Sequence, residues 1–166
     1  IADLIEYRNL NETSIKQVAQ CHLPTEYGDF ELFTFQDVID NQLHYALKKG
    51  DIDNHKPTLV RVHLHNAFSD LLGSTRSLNR SMTLPQALQR IADEGGILVL
   101  LGRQEDIVEQ VKQFEMEDRG DKPQAADWKG SSRTVGVGSQ ILATLGVKQM
   151  RLLSKPVKYH ALSGYG

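Results

Sequence analysis

The stretch RVHLH, residues 61–65, presents residue types that can do chemistry at a regular spacing. If it forms a β-strand, its period of two places Arg61, His63 and His65 on one face and apolar residues on the other. A guanidinium binds anions, and two imidazoles at positions i and i+2 can share a metal ion whose shell Asp70 or His160 would complete. Three interpretations stay open: a solvent-facing polar strand face, a pocket for a polar ligand, or a metal site.

Polar residues also follow two later apolar stretches. Gln104 and Glu105 come just after GGILVLLG, and Ser154 and Lys158 come after QMRLL. Because α/β sheets build their sites at the carboxyl ends of strands, we expect these side chains to contact a ligand, and a lysine beside a hydroxyl suits phosphate. The alternatives are an ordinary helix start after the first stretch and solvated lysines after the second.

Two further motifs carry weaker signals. The sequence GVGS, residues 136–139, has neither the lysine of a P-loop nor the third glycine of a dinucleotide fingerprint, and it falls inside a predicted helix. Cys21 lies in an apolar strand pattern without a nearby partner, so we expect it to be buried by packing. It is the one cysteine of the chain, which excludes an internal disulfide and favours a reducing compartment.

Composition narrows the class of protein. The chain has 166 residues, 40% of them hydrophobic, and a formal net charge of −2. This suits one globular domain and argues against nucleic acid or a membrane surface as the partner, since those binders are usually basic. No apolar run approaches the roughly 20 residues that a membrane helix requires. We therefore expect a cytoplasmic protein with small-molecule or protein partners.

The apolar pattern predicts alternating elements after an initial helix. Residues 1–13 are predicted to be a helix and linker from a preceding domain, partly because no initiator methionine is present, and 14–166 to be the main domain. The predicted strands cover residues 14–23, 30–35, 43–47, 58–65, 95–102 and 149–154. The predicted helices cover 84–92, 106–118, 133–145 and 156–162, with Thr83 as an N-cap and with Ile107, Val108, Val111 and Phe114 facing inward. Strands first and alternation later indicate an α/β (α+β) fold with a mixed sheet and flanking helices.

Several of these stretches together resemble the GTP cyclohydrolase II family of riboflavin biosynthesis. RVHLHNAFSDLLGSTRSLN matches the length of the family's zinc segment, R-[VI]-H-S-E-C followed by Gly-Asp and S-x-R-C-x-C. The residues kept are Arg61, His63, Asp70, Ser74 and Arg76. IADEGGILVLLGRQE and LGVKQMRLLS are similar to two more family motifs, so the resemblance runs from about residue 15 to the end and implies the family's fold.

The same comparison shows departures at the zinc ligands. The three cysteines that hold zinc in the family fall on Asn66, Ser77 and Asn79, and the glutamate that precedes the first of them falls on His65. Neutral amide and hydroxyl oxygens are poor substitutes for thiolates as zinc ligands. The resemblance therefore implies a domain in which no metal is bound.

The catalytic positions of the family also differ. The tyrosine thought to assist hydrolysis falls on Phe114 and the proposed aspartate base falls on Ser131, while the arginine that accompanies this base is kept as Arg133. A metal hydrolase needs its zinc to generate hydroxide near neutral pH, so the joint change of ligands and base removes the mechanism. Arg133 would then be a vestige of the catalytic site.

The opening stretch, IADLIEYR followed by VAQCHLPTEYGDF, is similar to the junction in fused riboflavin enzymes, where 3,4-dihydroxy-2-butanone 4-phosphate synthase precedes the cyclohydrolase. The favoured hypothesis is a degenerate, homodimeric cyclohydrolase-like domain that stabilises or regulates the synthase and carries no cofactor. One alternative is a working cyclohydrolase, with zinc and magnesium, whose metal site is rebuilt from His63, His65 and His160. The other is a nucleotide or flavin sensor that clamps a phosphate with Arg61, Arg76, Arg133 and Lys158, near Gln104 and Glu105.

Overall fold

The computed structural model describes residues 14–53, 55–76, 82–102, 107–121 and 131–153, the side chains of 131–135 excepted. Within these ranges the strands are β1 (Ile15–Thr25), β2 (Gly28–Asp37), β3 (Leu43–Lys49), β4 (Thr58–Leu64), β5 (Gly96–Leu101) and β6 (Met150–Leu152). The helices are α1 (Ala67–Asp70), α2 (Leu84–Glu94), α3 (Ile107–Asp118) and α4 (Ser131–Thr144). The predicted mixed α/β fold is confirmed. The helices predicted at 1–13 and 156–162 lie outside the described residues, so the division at residue 13 stays a prediction.

The strands form one mixed sheet in the order β1-β2-β3-β5-β4-β6. β1, β2, β3 and β5 pair antiparallel, whereas β4 pairs parallel to both β5 and β6. Short turns suffice for the antiparallel hairpins, but parallel neighbours need crossover connections, which here contain helices. The carboxyl ends of β4 and β5 therefore lie at the same edge of the sheet, and α1 follows β4 there.

Each face of the sheet packs on a different helix. On one face, Val60 and Val99 bury against Val137 and Ile141 of α4. On the other face, Leu59 and Leu98 pack against side chains of α2 that include Ala87 and Ile91. Gly138, inside the GVGS motif, lies in α4 with Val62 about a van der Waals distance from where its Cβ would be. The prediction that GVGS is helical is confirmed.

Helix α2 starts as the sequence predicts. The Thr83 hydroxyl accepts the amide N–H of Gln86, and the Gln86 side chain accepts the amide N–H of Thr83, so both partners of a capping box are present. Gly96 then begins β5 with a φ of 144°, and a Cβ there would lie 2.3 Å from the Leu59 carbonyl oxygen. Only glycine permits this approach of β5 to β4.

Two packing predictions are wrong. Cys21 is exposed, because β1 is an edge strand whose residues 16–22 lie outside the main core. Ile107, Val108 and Val111 of α3 are also exposed, Val108 by 64%, because α3 makes few contacts with the sheet. Among the helices of the described ranges, none is both long enough and apolar enough to cross a lipid bilayer.

Candidate functional site

Arg61 and His63 lie side by side on the face of β4 that packs on α2. Their register partners on β5 are Leu98 and Leu100, and each residue of the pair is only 8% exposed. The predicted alternation is correct, with Val60 on the opposite face, but the interpretation as a solvent-facing polar strand is wrong. Two basic residue types are therefore buried at the carboxyl half of β4.

Arg61 reaches across the sheet to the chain after β6. Its Nη1 donates to the Leu153 carbonyl oxygen at 3.2 Å, while the Leu153 amide donates to the Val60 carbonyl oxygen at 2.7 Å. A guanidinium that bonds a backbone oxygen in a buried setting is a strong local anchor. Arg61 thus fixes where the chain leaves β6, just before Ser154.

His63 pairs with Asp70 at the end of α1. Nε2 of His63 lies 2.9 Å from Oδ1 and 3.1 Å from Oδ2 of Asp70. Oδ2 also accepts the Asn66 amide N–H at 2.9 Å. The pair therefore joins the buried strand β4 to α1, a short helix that the sequence patterns did not predict.

Asn66 is the N-cap of α1. Its Oδ1 accepts the amide N–H groups of Phe68 and Ser69 at 3.0 and 3.1 Å, and its Nδ2 donates to Oε1 of Gln110 on α3 at 3.2 Å. Each end of the amide is thus engaged. A neutral amide held in this way does not fit zinc, whose structural and catalytic sites use thiolate, imidazole and carboxylate ligands. The position that the resemblance assigns to the first zinc cysteine therefore holds a capping residue in this chain.

Phe114 lies at the centre of the contact between α3 and the chain around α1. The ring of Phe68 meets it edge-on with centroids 5.4 Å apart, and the Arg76 guanidinium lies 4.6 Å above it. Arg76 also bonds Glu117 Oε1 at 3.0 Å and Asp118 Oδ1 at 2.8 Å. The hydrogen bond to Asp118, supported by Glu117, raises the pKa of Arg76 above its ordinary value.

The structure brings together one part of the predicted site. Arg61, His63, Asp70 and Asn66 lie along β4 and α1, and His65, at the end of the strand, donates its amide N–H to the Leu101 carbonyl oxygen at 3.0 Å. Arg76 lies with α3. The positions outside the described residues are Ser77, Asn79, Gln104, Glu105, Ser154, Lys158 and His160, together with the side chains of Ser131 and Arg133.

The candidate metal site does not assemble from the part of the chain that is described. Across those ranges, no three His, Cys, Asp or Glu side chains lie close enough to hold an ion. An open groove of about 720 Å³ lies elsewhere, over β1, β2 and β3. In this groove Glu31 accepts a hydrogen bond from Gln20 at 2.7 Å and pairs with Lys48 at 3.3 Å, so the charges of Glu31 and Lys48 compensate each other.

Sequence reasoning missed the polar residues of α3 that complete the site. Gln110, Glu117 and Asp118 contact the chain between residues 66 and 76, as does Phe114, which the sequence predicted to face inward. Their spacing of three or four residues places them on one side of a helix. That spacing was a usable signal, but the apolar residues beside them suggested a different inward face.

Comparison with known proteins agrees with this arrangement of strands and motifs. The model of the GTP cyclohydrolase II family matches residues 16–166. The chain belongs to the GTP cyclohydrolase II family. The family resemblance found in the sequence is thereby confirmed.

Relatives of this cyclohydrolase II family member are riboflavin biosynthesis proteins. A protein of Photobacterium phosphoreum named 3,4-dihydroxy-2-butanone 4-phosphate synthase is 46% identical over 172 residues, covering 100% of this chain and 45% of the relative. Riboflavin biosynthesis protein RibBA of Phocaeicola vulgatus is 39% identical over 175 residues, covering 100% of this chain and 43% of the relative. The chain thus spans less than half the length of these curated relatives.

A solved structure shares the fold. The crystal structure of RibBX, a two-domain 3,4-dihydroxy-2-butanone 4-phosphate synthase from A. baumannii, superposes with a TM-score of 0.62 at 32% identity. The match covers 99% of this chain and 41% of that chain. RibBX is thus a two-domain synthase of which this chain matches 41%, whereas the synthase junction predicted in the opening stretch of this chain stays a prediction.

Proposed function

We propose that this chain is a riboflavin biosynthesis domain of the GTP cyclohydrolase II family that no longer hydrolyses GTP and instead stabilises or regulates the synthase to which it is fused. The observation that carries the proposal is Asn66, whose amide caps α1 and bonds Gln110 where the family places a zinc cysteine. A side chain with this structural role is not available as a metal ligand.

The remaining zinc positions support the same conclusion. Ser77 and Asn79 stand where the family has its second and third cysteines. Three neutral oxygen or nitrogen groups do not supply the charge that three thiolates bring to Zn²⁺. Without the metal, no water in this site acquires a pKa near neutrality, which is the step that makes a zinc hydrolase fast.

The catalytic positions support it independently. Phe114 replaces the family's tyrosine, and its ring is packed between Phe68 and the guanidinium of Arg76. Ser131 replaces the proposed aspartate base. A ring without a hydroxyl and a residue without a carboxylate leave neither proton donor nor base at these positions.

A structural or regulatory role is supported by the exposed apolar surface of α3. Ile107, Val108 and Val111 are 43%, 64% and 40% exposed and lie within about one turn of that helix. Contiguous apolar patches on a protein surface often mark sites of contact with another protein. Since the relatives are more than twice as long as this chain and are named as synthases, the synthase portion is the proposed partner.

The experiment is a titration of GTP against the intact protein, with and without added zinc, that follows formate and pyrophosphate release. A cyclohydrolase II that retains all three zinc cysteines is the positive control. We expect no product at protein concentrations where the control turns over fully, and zinc below one tenth of an equivalent by elemental analysis. Stoichiometric zinc with zinc-dependent release of both products would overturn the proposal.

The regulatory part needs its own measurement. Replacing Val108 and Val111 by lysine in the intact protein is expected to change the synthase rate or the thermal stability of the synthase portion, because two apolar contacts become charged. Replacing the exposed Lys112 by glutamine on the same helix is the matched control. Synthase kinetics and unfolding that stay unchanged in the lysine variant would argue against contact through this surface.

A further inference from the structure

We propose that the chain between Asn66 and Arg76 is fastened to α3 by side-chain contacts that hold it without a bound metal ion. The inference rests on the proposed function, because it assumes that zinc does not bind here. It goes further by naming what holds this segment instead: an amide bridge at its start, a guanidinium clamp at its end, and a buried pair that joins both to the sheet.

The amide bridge comes from Asn66. Because its Oδ1 accepts two backbone N–H groups of α1, the side chain has a fixed orientation, and Nδ2 is aimed at Gln110 of α3, 3.2 Å away. The same side chain therefore both caps α1 and bridges it to α3. A cysteine at this position could do neither, since a thiol is a weak acceptor and a weak donor.

The guanidinium clamp comes from Arg76. One nitrogen bonds Glu117, another bonds Asp118, and the guanidinium plane covers the ring of Phe114, all on α3. An exposed ion pair contributes little alone, but two carboxylates and an aromatic ring that share one guanidinium restrict it in three directions. The segment is thus held at both ends to one helix.

The buried pair connects this unit to the core. Asp70 accepts the Asn66 amide N–H while it bonds His63, and the two paired side chains are 10% and 7% exposed. A continuous chain of hydrogen bonds therefore runs from β4 through α1 to Gln110. His63, Asp70 and Arg76 are residues that the resemblance keeps, whereas Asn66 stands at a cysteine position of the family and adds the bridge to Gln110.

The proposal makes proteolysis at Leu71 and Leu72 a direct readout. Both side chains are exposed, so chymotrypsin can cleave after them once the segment opens, and mass spectrometry identifies the site. When opening is fast relative to cleavage, the rate follows the population of the open form. The intact protein is digested with EDTA, with added zinc chloride and with neither.

We expect the three wild-type rates to be equal. Arg76→Ala is expected to raise cleavage at these leucines about three- to tenfold, and Gln110→Ala about twofold to fivefold, from the usual strength of such contacts. Arg119→Ala is the matched control, because Arg119 lies at the end of α3 and pairs with Asp121 instead of the segment. Its cleavage rate should equal that of the wild type.

Two results would overturn the proposal. One is faster cleavage of the wild type in EDTA, or slower cleavage with zinc. The other is an unchanged rate in both Arg76→Ala and Gln110→Ala. Each variant alters an exposed or half-buried group, so folding is preserved, and circular dichroism checks it. GTP turnover measured on the same samples separates the two proposals: turnover with EDTA-insensitive cleavage would contradict the proposed function and leave the fastening intact.

Discussion

His63 and Asp70 form a buried pair, with Nε2 of the imidazole 2.9 Å from Oδ1 of the carboxylate. They lie seven residues apart, one on a strand and the other at the end of the helix that follows it. Because Asp70 also accepts the Asn66 amide N–H, it satisfies donors from both elements. Asp70 therefore links α1 to the sheet.

Asp70→Ala is expected to lower the free energy of unfolding by about 1–3 kcal/mol, since it leaves buried donors of His63 and Asn66 without an acceptor. Urea denaturation of the intact protein measures the change. Ser69→Ala is the control, because the Ser69 hydroxyl is exposed and bonds only at 3.4 Å. Equal midpoints for the two variants would show that the buried pair is not stabilising.

Thr83→Ala is expected to lower the free energy of unfolding by about 1 kcal/mol, because it removes the hydroxyl of the α2 capping box. Thr83→Ser keeps the hydroxyl and should behave almost as the wild type does. Denaturant titration that resolves a few tenths of a kcal/mol separates them. A serine variant as unstable as the alanine variant would point to the threonine methyl group instead of the cap.

Two glycines should respond in opposite directions to the same substitution. Gly96→Ala places a methyl group 2.3 Å from the Leu59 carbonyl oxygen and is expected to destabilise by about 1–3 kcal/mol. Gly136→Ala meets nothing within 4 Å inside α4 and is expected to stabilise by about 0.5–1 kcal/mol through helix propensity. Thermal unfolding of both variants is the measurement. A destabilised Gly136→Ala would contradict the helical assignment of GVGS.

Glu94 predicts how stability depends on acid pH. Hydrogen bonds from Arg90 and then from Arg151 hold its pKa below the ordinary value of 4.5. A carboxylate whose pKa is depressed on folding stabilises the protein above its unfolded pKa, and that contribution disappears as the pH falls through the folded pKa. Glu94→Gln should therefore be less stable than the wild type near neutrality and converge with it in acid.

The measurement for Glu94 is denaturant unfolding of both proteins from pH 2.5 to pH 7 at low salt. Glu115→Gln, on the exposed side of α3, serves as the charge-matched control. The difference should shrink in 0.5 M salt, since both arginine pairs are exposed. A difference between wild type and Glu94→Gln that stays constant across the pH range would contradict the assignment.

The strands and caps could be read from local patterns because local physics decides them. The alternation around Arg61 and the hydroxyl of Thr83 act within a few residues, and both predictions hold in the structure. β1 was also found, although its burial was not. Whether a strand lies at the edge of a sheet depends on partners far along the chain, so Cys21 was predicted inside and is exposed.

The candidate site was less predictable for a related reason. Residue types identified Arg61 and His63, but their burial depends on α1 and α2 packing over β4. On α3, Ile107 and Val108 looked like core residues because they are apolar, whereas the face that contacts the rest of the chain carries polar Gln110 beside the predicted Phe114. Polar recognition between two segments leaves a weak signature in hydrophobic periodicity.

The hydrogen bonds of Gln140 in α4 affect the order in which the chain folds during synthesis. Its buried Oε1 accepts the amide N–H of Ser14 at 2.9 Å and that of Ile15 at 3.2 Å, across separations of 126 and 125 residues. A ribosome that makes this chain exposes β1 long before α4 exists, so the start of the first strand has no permanent acceptors until synthesis has passed residue 140. Docking of α4 is therefore the event that fixes the start of β1 to the core.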